Sequence, residues 1–379
     1  MTSSDADIDF DALKKLRNQL DEVDQRLVQT ISDRLALVSK IGALKAAEGH
    51  QTRDFRREKV VLDKAADAAN AAGIPTTVAT DILKVAIRAS LENQERARIR
   101  GAASGDGKRA LVVGGAGRMG RWFAEFLHSQ GFAVTIADPA ADQKQPHVAE
   151  SLEAAGVDFD VIVIASTLAV SAQLLRDLAV LKPRGLVFDV GSLKSPLNEP
   201  LRELAATGAR VTSVHPMFGP STRLLAGRHI IFCDAGDAQA LQDAKSLFAD
   251  TMADCVEMSL EDHDRLIAYV LGLSHFVNIV FIDALASSGL DADALSRISS
   301  TTFDAQLAMG ASVVNENPGL YFEIQRLNQF GELPLDALTD AVDYLRDAIR
   351  SDDAGAFTGL MVQAREYVDG IQDSKSGTR

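Results

Sequence analysis

The chain has few cysteines and no long apolar run, and each shortage excludes a class of protein. Its two cysteines lack CxxC or Cys/His ligand spacing, which excludes a disulfide framework and predicts that no metal is bound. No apolar run approaches the ~20 residues of a membrane span. The acidic start MTSSDADIDFD lacks the apolar segment of a signal peptide. We therefore expect a cytoplasmic protein.

The chain also lacks a net positive charge. Its formal net charge is -14 and its pI is about 5.0, which argues against nucleic acid or an anionic membrane as a partner. An anionic small molecule remains an acceptable ligand, since its site needs only local cations. With 379 residues, 46% hydrophobic and 24% charged, the chain has the composition of a soluble protein of two or three domains.

The first hundred residues show helical periodicity. Apolar residues recur in steps of three and four from Leu13 to Leu44, which predicts one long amphipathic helix. A helix of this length cannot be covered by a small monomeric domain, so we expect a helix of a second subunit against it. Two further helices are predicted at 55–71 and 78–98, and the small polar residues 101–107 predict a linker.

After the linker the pattern changes to alternating strands and helices. The strand-like runs are RALVVGG, AVTIADP, DVIVIAST, GLVFDVGS, RVTSVHP and HIIFCD. This alternation predicts a parallel sheet with helices on both faces, whereas the sequence after about Leu260 is helical to the end. We therefore predict an all-α domain (1–100), a linker (101–108), an α/β Rossmann domain (109–258) and an all-α dimerisation and substrate domain (259–379).

A glycine-rich turn predicts a dinucleotide site. It follows the strand LVV, opens a helix, and consists of Gly115, Ala116, Gly117, Arg118, Met119 and Gly120. Such glycines let the backbone approach a pyrophosphate at the helix N-terminus. Asp138 lies 18 residues further on, where a carboxylate binds a ribose 2′-hydroxyl and repels a 2′-phosphate. We predict NAD as cofactor; a glycine turn in an ordinary α/β fold is the alternative.

A histidine at the end of a predicted strand is the candidate catalytic group. His215 lies in VHPMFGP, and Ser192 lies in DVGSLKSP. Together with the glycine motif, these segments resemble the prephenate dehydrogenase family from about Arg109 onward. The resemblance implies NAD-dependent oxidative decarboxylation of prephenate to 4-hydroxyphenylpyruvate. It also implies that His215 accepts the proton of the ring hydroxyl and that Ser192 holds the same hydroxyl.

The sequence departs from this family at the carboxylate anchor. The family places an arginine in the helical domain to bind the carboxylate on the ring, but SSTTFDAQLAMGAS (299–312) contains no Arg or Lys. Asp304 and Ser312 occupy the positions at which we align arginines. Arg297 or Arg326 could substitute from neighbouring turns.

The N-terminal helices carry charged and polar residues at spacings that place them on common faces. Asp54, Arg57 and Glu58 share one helix face, and Ser90 and Gln94 share another. Arg34 and Lys45 are about three turns apart on one face, whereas Arg17 precedes Arg34 by about 25 Å along the axis. Arg17 and Arg34 therefore meet on one ligand only if Arg17 comes from a second subunit. A solvated helix face is the alternative.

These helices resemble the small all-helical chorismate mutases over about residues 10–98. The pattern LRNQLDEVDQRLV…R…K, then RDFRRE, then S…Q contains all eight polar positions of that site. The resemblance implies that Arg17, Arg34 and Arg57 bind the two carboxylates of chorismate. Lys45 and Gln94 would donate to the ether oxygen and Glu58 would hold the ring hydroxyl, while Asp54 and Ser90 would complete the polar shell.

The two resemblances imply consecutive chemistry, because the first half would make prephenate and the second would consume it. The whole chain resembles the fused chorismate mutase–prephenate dehydrogenases of bacterial tyrosine biosynthesis, which implies a homodimer with helix-exchanged mutase sites. Three alternatives remain at this point. The dehydrogenase half could act on arogenate or amino-deoxyprephenate, it could be a non-catalytic NAD-binding regulator, or the N-terminal helices could be an inert dimerisation arm.

Overall fold

The computed structural model describes residues 10–48 and 53–377, so the first nine residues of the acidic start lie outside it. Three helices form the N-terminal part: α1 (Phe10–Ala47), α2 (Phe55–Ala72) and α3 (Thr76–Ala102). All three were predicted to within a few residues. α3 continues into the predicted linker as far as Ala102.

Local signals in the sequence determine where α2 begins and ends. The Asp54 carboxylate accepts a hydrogen bond from the backbone N–H of Arg57 (2.9 Å), which caps the first turn. Gly73 ends the helix with φ = 69°, a left-handed conformation that glycine adopts without strain. Pro75 then precedes α3, where a missing N–H has no cost.

The middle of the chain is an α/β domain built on an eight-stranded sheet in the order β3-β2-β1-β4-β5-β6-β7-β8. The strands are β1 (Arg109–Val113), β2 (Ala133–Ala137), β3 (Val148–Ala149), β4 (Val161–Ile164), β5 (Leu186–Asp189), β6 (Val211–Pro216), β7 (His229–Asp234) and β8 (Asp254–Ser259). The helices are α4 (Arg118–Ser129), α5 (Leu152–Ala155), α6 (Leu168–Leu181), α7 (Asn198–Ala206) and α8 (Ala238–Ser246), with a short 3-10 turn at Ser195–Leu197.

The predicted Rossmann fold is confirmed, with two corrections to its sheet. The sequence reading missed β3 and β8: β3 is only two residues long, and β8 reads DCVEMS, which has no apolar run. The expected all-parallel sheet is mixed, because β7 runs antiparallel to β6. Apolar side chains from α4 and α8 cover one face of the sheet, and those from α6 and α7 cover the other.

The rest of the chain is helical, as predicted. It contains α9 (Leu260–Ile267), α10 (Ser274–Ala286), α11 (Ala292–Arg297), α12 (Thr301–Val314), α13 (Pro318–Leu327), α14 (Glu332–Arg350) and α15 (Ala354–Gly377). A π-helical segment, Ala268–Leu273, joins α9 and α10 into one continuous helix.

That continuous helix corrects the statement that no segment approaches a membrane span. Leu260–Ala286 is 27 residues long with a mean hydropathy of 1.8, enough to cross a membrane by length and composition. Polar residues within the segment break up its apolar run, so a search for uninterrupted apolar sequence did not find it. Length and composition alone are weak evidence, since interface and core helices of soluble proteins meet the same criterion.

α3 anchors the N-terminal helices to the α/β domain. Glu95 is only 2% exposed, and its carboxylate accepts hydrogen bonds from the backbone N–H groups of Leu225 (2.8 Å) and Met252 (2.6 Å). One turn further, Ile99 packs into the core beside α4. Burial raises the pKa of Glu95 against the lowering effect of these two hydrogen bonds. The two parts of the chain are therefore in direct contact.

Replacing Glu95 with Gln is expected to lower the free energy of unfolding by about 1–3 kcal/mol, because the new amide nitrogen opposes one of the two buried N–H groups. Glu92→Gln is the matched control: Glu92 pairs with Arg96 on the same helix (2.7 Å) near the surface, and its loss should cost only about 0.5 kcal/mol. Urea unfolding of the full chain measures both changes. Equal midpoints for the two variants would contradict the anchoring role.

Candidate active sites

The glycine turn lies where the sheet reverses its direction of winding. β1 has β2 on one side and β4 on the other, so a crevice opens at the carboxyl end of these strands. Gly114 has φ = 83°, and a Cβ on Gly120 would lie 2.1 Å from the Gly114 carbonyl oxygen. Only glycine at position 120 allows this close approach of α4 to the turn. The backbone at the start of α4 can therefore receive a pyrophosphate.

Asp138 lies beside this turn. It follows β2, and its carboxylate accepts hydrogen bonds from the backbone N–H groups of Ala116 (3.0 Å) and Ala140 (2.8 Å). Its oxygens are therefore held next to the dinucleotide crevice, at the end of the strand adjacent to β1. The remaining lone pairs can accept from the ribose hydroxyls of NAD, and these residues fit that cofactor.

Arg118, the first residue of α4, forms an ion pair with Glu316. Glu316 lies between α12 and α13, so the pair connects the glycine turn with the C-terminal helices. The guanidinium is largely exposed at this position.

His215 lies at the carboxyl end of β6 and is 5% exposed. Its Nδ1 is 2.9 Å from Nε2 of His263 on α9. Ser192 follows the neighbouring strand β5, and its buried Oγ has no hydrogen-bond partner among the described residues. A buried hydroxyl without a partner is uncommon in proteins, and a substrate hydroxyl would satisfy it.

A buried ion pair connects the end of β5 to β6 next to His215. Lys194 and Asp189 are fully buried, and the Lys194 ammonium is 2.8 Å from an Asp189 carboxylate oxygen. The ammonium also donates to the carbonyl oxygens of Gly191 (2.7 Å) and Val214 (3.0 Å), which uses all three of its protons. Sequence reasoning did not select either residue, although both lie in the segment DVGSLKSP that it quoted.

The environment of His215 favours the neutral imidazole. Burial, then the neighbouring His263 and then the Lys194 ammonium hold its pKa well below the usual 6.5. A neutral imidazole at physiological pH can accept a proton from a substrate.

This shift predicts the pH dependence of the dehydrogenase. Because the folded pKa lies below 6.5, His215 stays neutral as pH falls from 8 to 6.5, so kcat/KM for the oxidation should stay constant there and decline only at lower pH. Stability changes in the same direction. As pH falls, the unfolded chain takes up this proton at a higher pH than the folded protein does, so the free energy of unfolding decreases as pH falls below 6.5. Initial rates between pH 5 and 8 measure this. An acid limb centred at or above 6.5 would contradict the assignment.

The two residues at the positions expected for the carboxylate anchor form local contacts within the helical domain. Asp304 accepts a hydrogen bond from Ser299, and the Ser312 hydroxyl donates to the Met309 carbonyl oxygen. The Arg326 guanidinium stacks on the ring of Phe322 on its own helix, at 5.8 Å. Between these two positions, the Gln306 amide donates a hydrogen bond to the Asn278 side-chain oxygen on α10 (3.0 Å).

In the N-terminal helices, three of the predicted mutase residues come together between α1 and α3. The Arg34 guanidinium donates to the Ser90 hydroxyl (2.9 Å) and to the Ala86 carbonyl oxygen (3.1 Å). Gln94 donates to the Val38 carbonyl oxygen (3.0 Å). A Cβ on Gly42 would lie 2.9 Å from the Gln94 amide nitrogen, so glycine there permits the close approach.

The other five predicted mutase residues do not join this cluster in the single chain. Asp54 caps α2, and Glu58 forms a two-point ion pair with Arg53 (2.9 and 3.2 Å). Arg57 is exposed and Lys45 half-buried. Arg17 and Arg34 lie on the same helix α1, about 25 Å apart at ~1.5 Å rise per residue.

A glycine turn with a carboxylate beside it, and a buried histidine at the carboxyl end of β6 in the same sheet, define an NAD-dependent dehydrogenase. Comparison with known families narrows this class. Residues 123–257 match the nucleotide-binding domain of prephenate dehydrogenase, and residues 259–363 match its dimerisation domain. Residues 16–95 match chorismate mutase type II.

Comparison with individual proteins indicates the same families. The chain is 28% identical to the T-protein of Enterobacter agglomerans over 82% of this chain and 81% of that one. It is 31% identical to the 4-amino-4-deoxyprephenate dehydrogenase of Streptomyces pristinaespiralis over 68% of this chain and 90% of that one. A solved prephenate dehydrogenase from A. aeolicus, in complex with hydroxyphenyl propionate and NAD+, superposes with a TM-score of 0.56 at 18% identity, covering 69% of this chain and 98% of that one.

The chain belongs to the prephenate dehydrogenase family and carries a chorismate mutase domain ahead of the dehydrogenase. It is a bifunctional enzyme of tyrosine biosynthesis, both chorismate mutase and NAD-dependent prephenate dehydrogenase. The predicted fold, activities and cofactor are therefore confirmed.

Proposed function

We propose that the two halves act in turn on one carbon skeleton, the first making prephenate from chorismate and the second oxidising it. One observation carries this proposal. A cluster of fixed polar donors (Arg34, Ser90 and Gln94) and a neutral buried histidine (His215) beside a dinucleotide crevice belong to one folded chain. The first suits a reaction that needs electrostatic stabilisation, and the second suits proton removal coupled to hydride loss.

In the mutase site, the rearrangement of chorismate is pericyclic, so it requires no nucleophile and no general base. It requires a compact conformer held by its carboxylates and stabilisation of the charge that develops on the ether oxygen. We assign the carboxylates to Arg17, Arg34 and Arg57, and the ether oxygen to Lys45 and Gln94. Glu58 would leave Arg53 to hold the ring hydroxyl, and Asp54 and Ser90 complete the polar shell.

In the dehydrogenase site, bound NAD supplies the hydride acceptor, held at Gly115, Ala116, Gly117, Arg118, Met119, Gly120 and Asp138. Nε2 of His215 accepts the proton of the ring hydroxyl as the hydride leaves the same carbon, and the Ser192 hydroxyl hydrogen-bonds this oxygen. The bond between the ring and its carboxylate then breaks, its electron pair completes the aromatic ring as CO₂ is released, and the phenolate oxygen takes the proton back from His215. Loss of CO₂ makes the step effectively irreversible.

We further infer a homodimer in which each mutase site includes Arg17 of the second subunit. Two observations support this. The apolar face of the first half of α1 is exposed in the described chain, with Leu16 62% exposed and Leu20 59% exposed. Residues 259–363 also match a dimerisation domain. A second α1 packed along the first would cover these side chains and bring Arg17 toward the ligand.

We assign the mutase to residues 1–100, the linker to 101–108, the NAD-binding domain to 109–258 and the dimerisation domain to 259–379. We infer that the enzyme is cytoplasmic and binds neither nucleic acid nor membrane.

A specific observation favours 4-amino-4-deoxyprephenate as an alternative substrate of the dehydrogenase half. The segment 299–312 has no arginine or lysine, and the relative that is 31% identical is named a 4-amino-4-deoxyprephenate dehydrogenase. An amine in place of the ring hydroxyl would contact Ser192 and His215 at the same positions. Arogenate is a further candidate, since its side chain carries an amino group in place of a keto group.

A coupled assay tests these proposals. Chorismate plus NAD is supplied to the purified chain and NADH is followed, and the assay is repeated with prephenate, arogenate and 4-amino-4-deoxyprephenate in turn. NADH from chorismate and from prephenate supports the proposal. A higher kcat/KM for an amino compound than for prephenate would identify that compound as the substrate of the dehydrogenase. NAD binding without turnover of any of them would instead make this half a regulator of the mutase.

A further inference from the structure

Behind His215 lies a second buried pair of ionisable side chains for which the reaction described above has no use. His263 is fully buried and Asp264 is 1% exposed, and both lie on α9. Nδ1 of His263 is 2.7 Å from an Asp264 carboxylate oxygen, and its Nε2 is 2.9 Å from Nδ1 of His215. The three side chains form a continuous hydrogen-bonded series, Asp264–His263–His215.

The contacts of Asp264 show that its carboxyl group is ionised. One oxygen accepts from the backbone N–H of Lys194 (2.8 Å), and the other accepts from the backbone N–H and the hydroxyl of Ser195. Burial raises the pKa of this carboxyl group, but the hydrogen bonds from His263 and Ser195 outweigh it, and the pKa is lowered overall. An ionised carboxylate has only acceptors, so the ring nitrogen that faces it must carry a hydrogen.

This requirement determines the hydrogen positions along the series. Nδ1 of His263 donates to Asp264, and burial, the largest influence on its pKa, keeps the His263 ring neutral. Its Nε2 therefore carries a lone pair, which can only accept from Nδ1 of His215. In His215, which is also neutral, the hydrogen is on Nδ1 and the lone pair is on Nε2. No described residue forms a hydrogen bond with that Nε2.

The backbone that carries the pair is itself held in place. Asn328, which follows α13, donates from its amide to the Asp264 carbonyl oxygen (2.8 Å). The π-helical segment begins four residues after Asp264, at a type of irregularity often found at functional sites. The pair is thus held by Lys194 and Ser195 of the α/β domain on one side and by Asn328 at the end of α13 on the other.

We propose that His263 and Asp264 are positioning residues that hold His215 as the Nδ1–H tautomer, with the lone pair of Nε2 directed to the substrate hydroxyl. The proposal rests on the proposed role of His215. When the substrate O–H bond breaks and the proton binds Nε2, the Nδ1–H bond to His263 persists. The Asp264 carboxylate then stabilises the imidazolium through His263. A carboxylate that selects one tautomer of a catalytic histidine is known in Ser-His-Asp enzymes, where its loss lowers kcat about 10⁴-fold.

The test compares His263→Gln with His263→Met. Gln retains an oxygen that can accept from Nδ1 of His215, whereas Met has a similar size and offers no comparable acceptor. We expect Met to lower kcat for prephenate oxidation about 10²–10⁴-fold with little change in KM for NAD, and Gln to restore most of the activity. Chorismate mutase activity of the same chain should stay unchanged in both variants, which controls for folding.

A second readout is independent of turnover. ¹⁵N NMR of histidine-labelled native protein should place the hydrogen of His215 on Nδ1, and the Met variant should lose this preference. A hydrogen on Nε2 in the native protein would overturn the proposal, as would full dehydrogenase activity in the Met variant. If the native protein oxidises no substrate, the proposed function fails, and the NMR result still decides the tautomer.

Discussion

Replacement of His215 with Asn is expected to lower kcat for prephenate oxidation about 10²–10⁴-fold, because removal of a positioned general base costs this much. The neutral imidazole at the end of β6 is replaced by an amide that cannot accept a full proton. NAD affinity and chorismate mutase activity should change little, since the glycine turn and α1 do not contact this side chain. Initial rates with prephenate and with chorismate, together with NAD titration, measure the three quantities.

His229→Asn is the matched control, because His229 lies exposed at the start of β7. Its dehydrogenase rate should equal that of the unchanged protein. Equal loss of mutase and dehydrogenase activity in the His215 variant would indicate misfolding or a shared site and would argue against a base confined to the second half.

Replacement of Arg34 with Ala is expected to lower the mutase kcat/KM at least about 10²–10³-fold, the usual effect of removing one fixed donor from a site that works by electrostatic stabilisation. Burial lowers the pKa of Arg34 from its usual 12.5, but the group remains charged at neutral pH. The dehydrogenase should keep its rate with added prephenate. Loss of chorismate absorbance and formation of NADH separate the two activities.

Lys40→Ala controls for the loss of a cation from α1, because Lys40 is exposed on a different face of the same helix. Unchanged mutase activity in the Arg34 variant would favour the reading of the N-terminal helices as a dimerisation arm. Loss of mutase activity in both variants would mean that the net charge of α1, rather than one guanidinium, supports the reaction.

The positions that the sequence identified are those whose signals are local. The step of three and four residues from Leu13 to Leu44 predicted α1, and the glycine turn between a strand and a helix predicted the NAD crevice. His215 was found because it ends an apolar strand in the motif VHPMFGP. In each case a few neighbouring residues carry the physical requirement: an apolar face, a close backbone approach or a strand end.

The sequence did not predict the features that depend on contacts between segments far apart in the chain. β8 has no apolar alternation of its own, and it exists because it pairs with β7 along six residues. β7 runs antiparallel to β6 because the loop between Pro216 and His229 reverses the chain. The periodicity of apolar residues does not indicate the direction of a strand. His263 and Asp264 were missed because they look like ordinary charges at the start of a helix, and only folding brings them behind a residue 48 positions earlier.

The sequence by itself therefore determined the three-part organisation, the glycine turn between β1 and α4 and the position of His215 at the end of a strand. These features depend on periodicity and on motifs of a few residues, which act over one or two turns of chain. The tertiary structure alone decided the burial of His215 against His263, which lowers its pKa, and the contact of α3 with the α/β domain through Glu95. A pKa and a hydrogen-bond direction depend on which buried groups lie within about 3 Å, and packing brings those groups together from segments far apart in sequence.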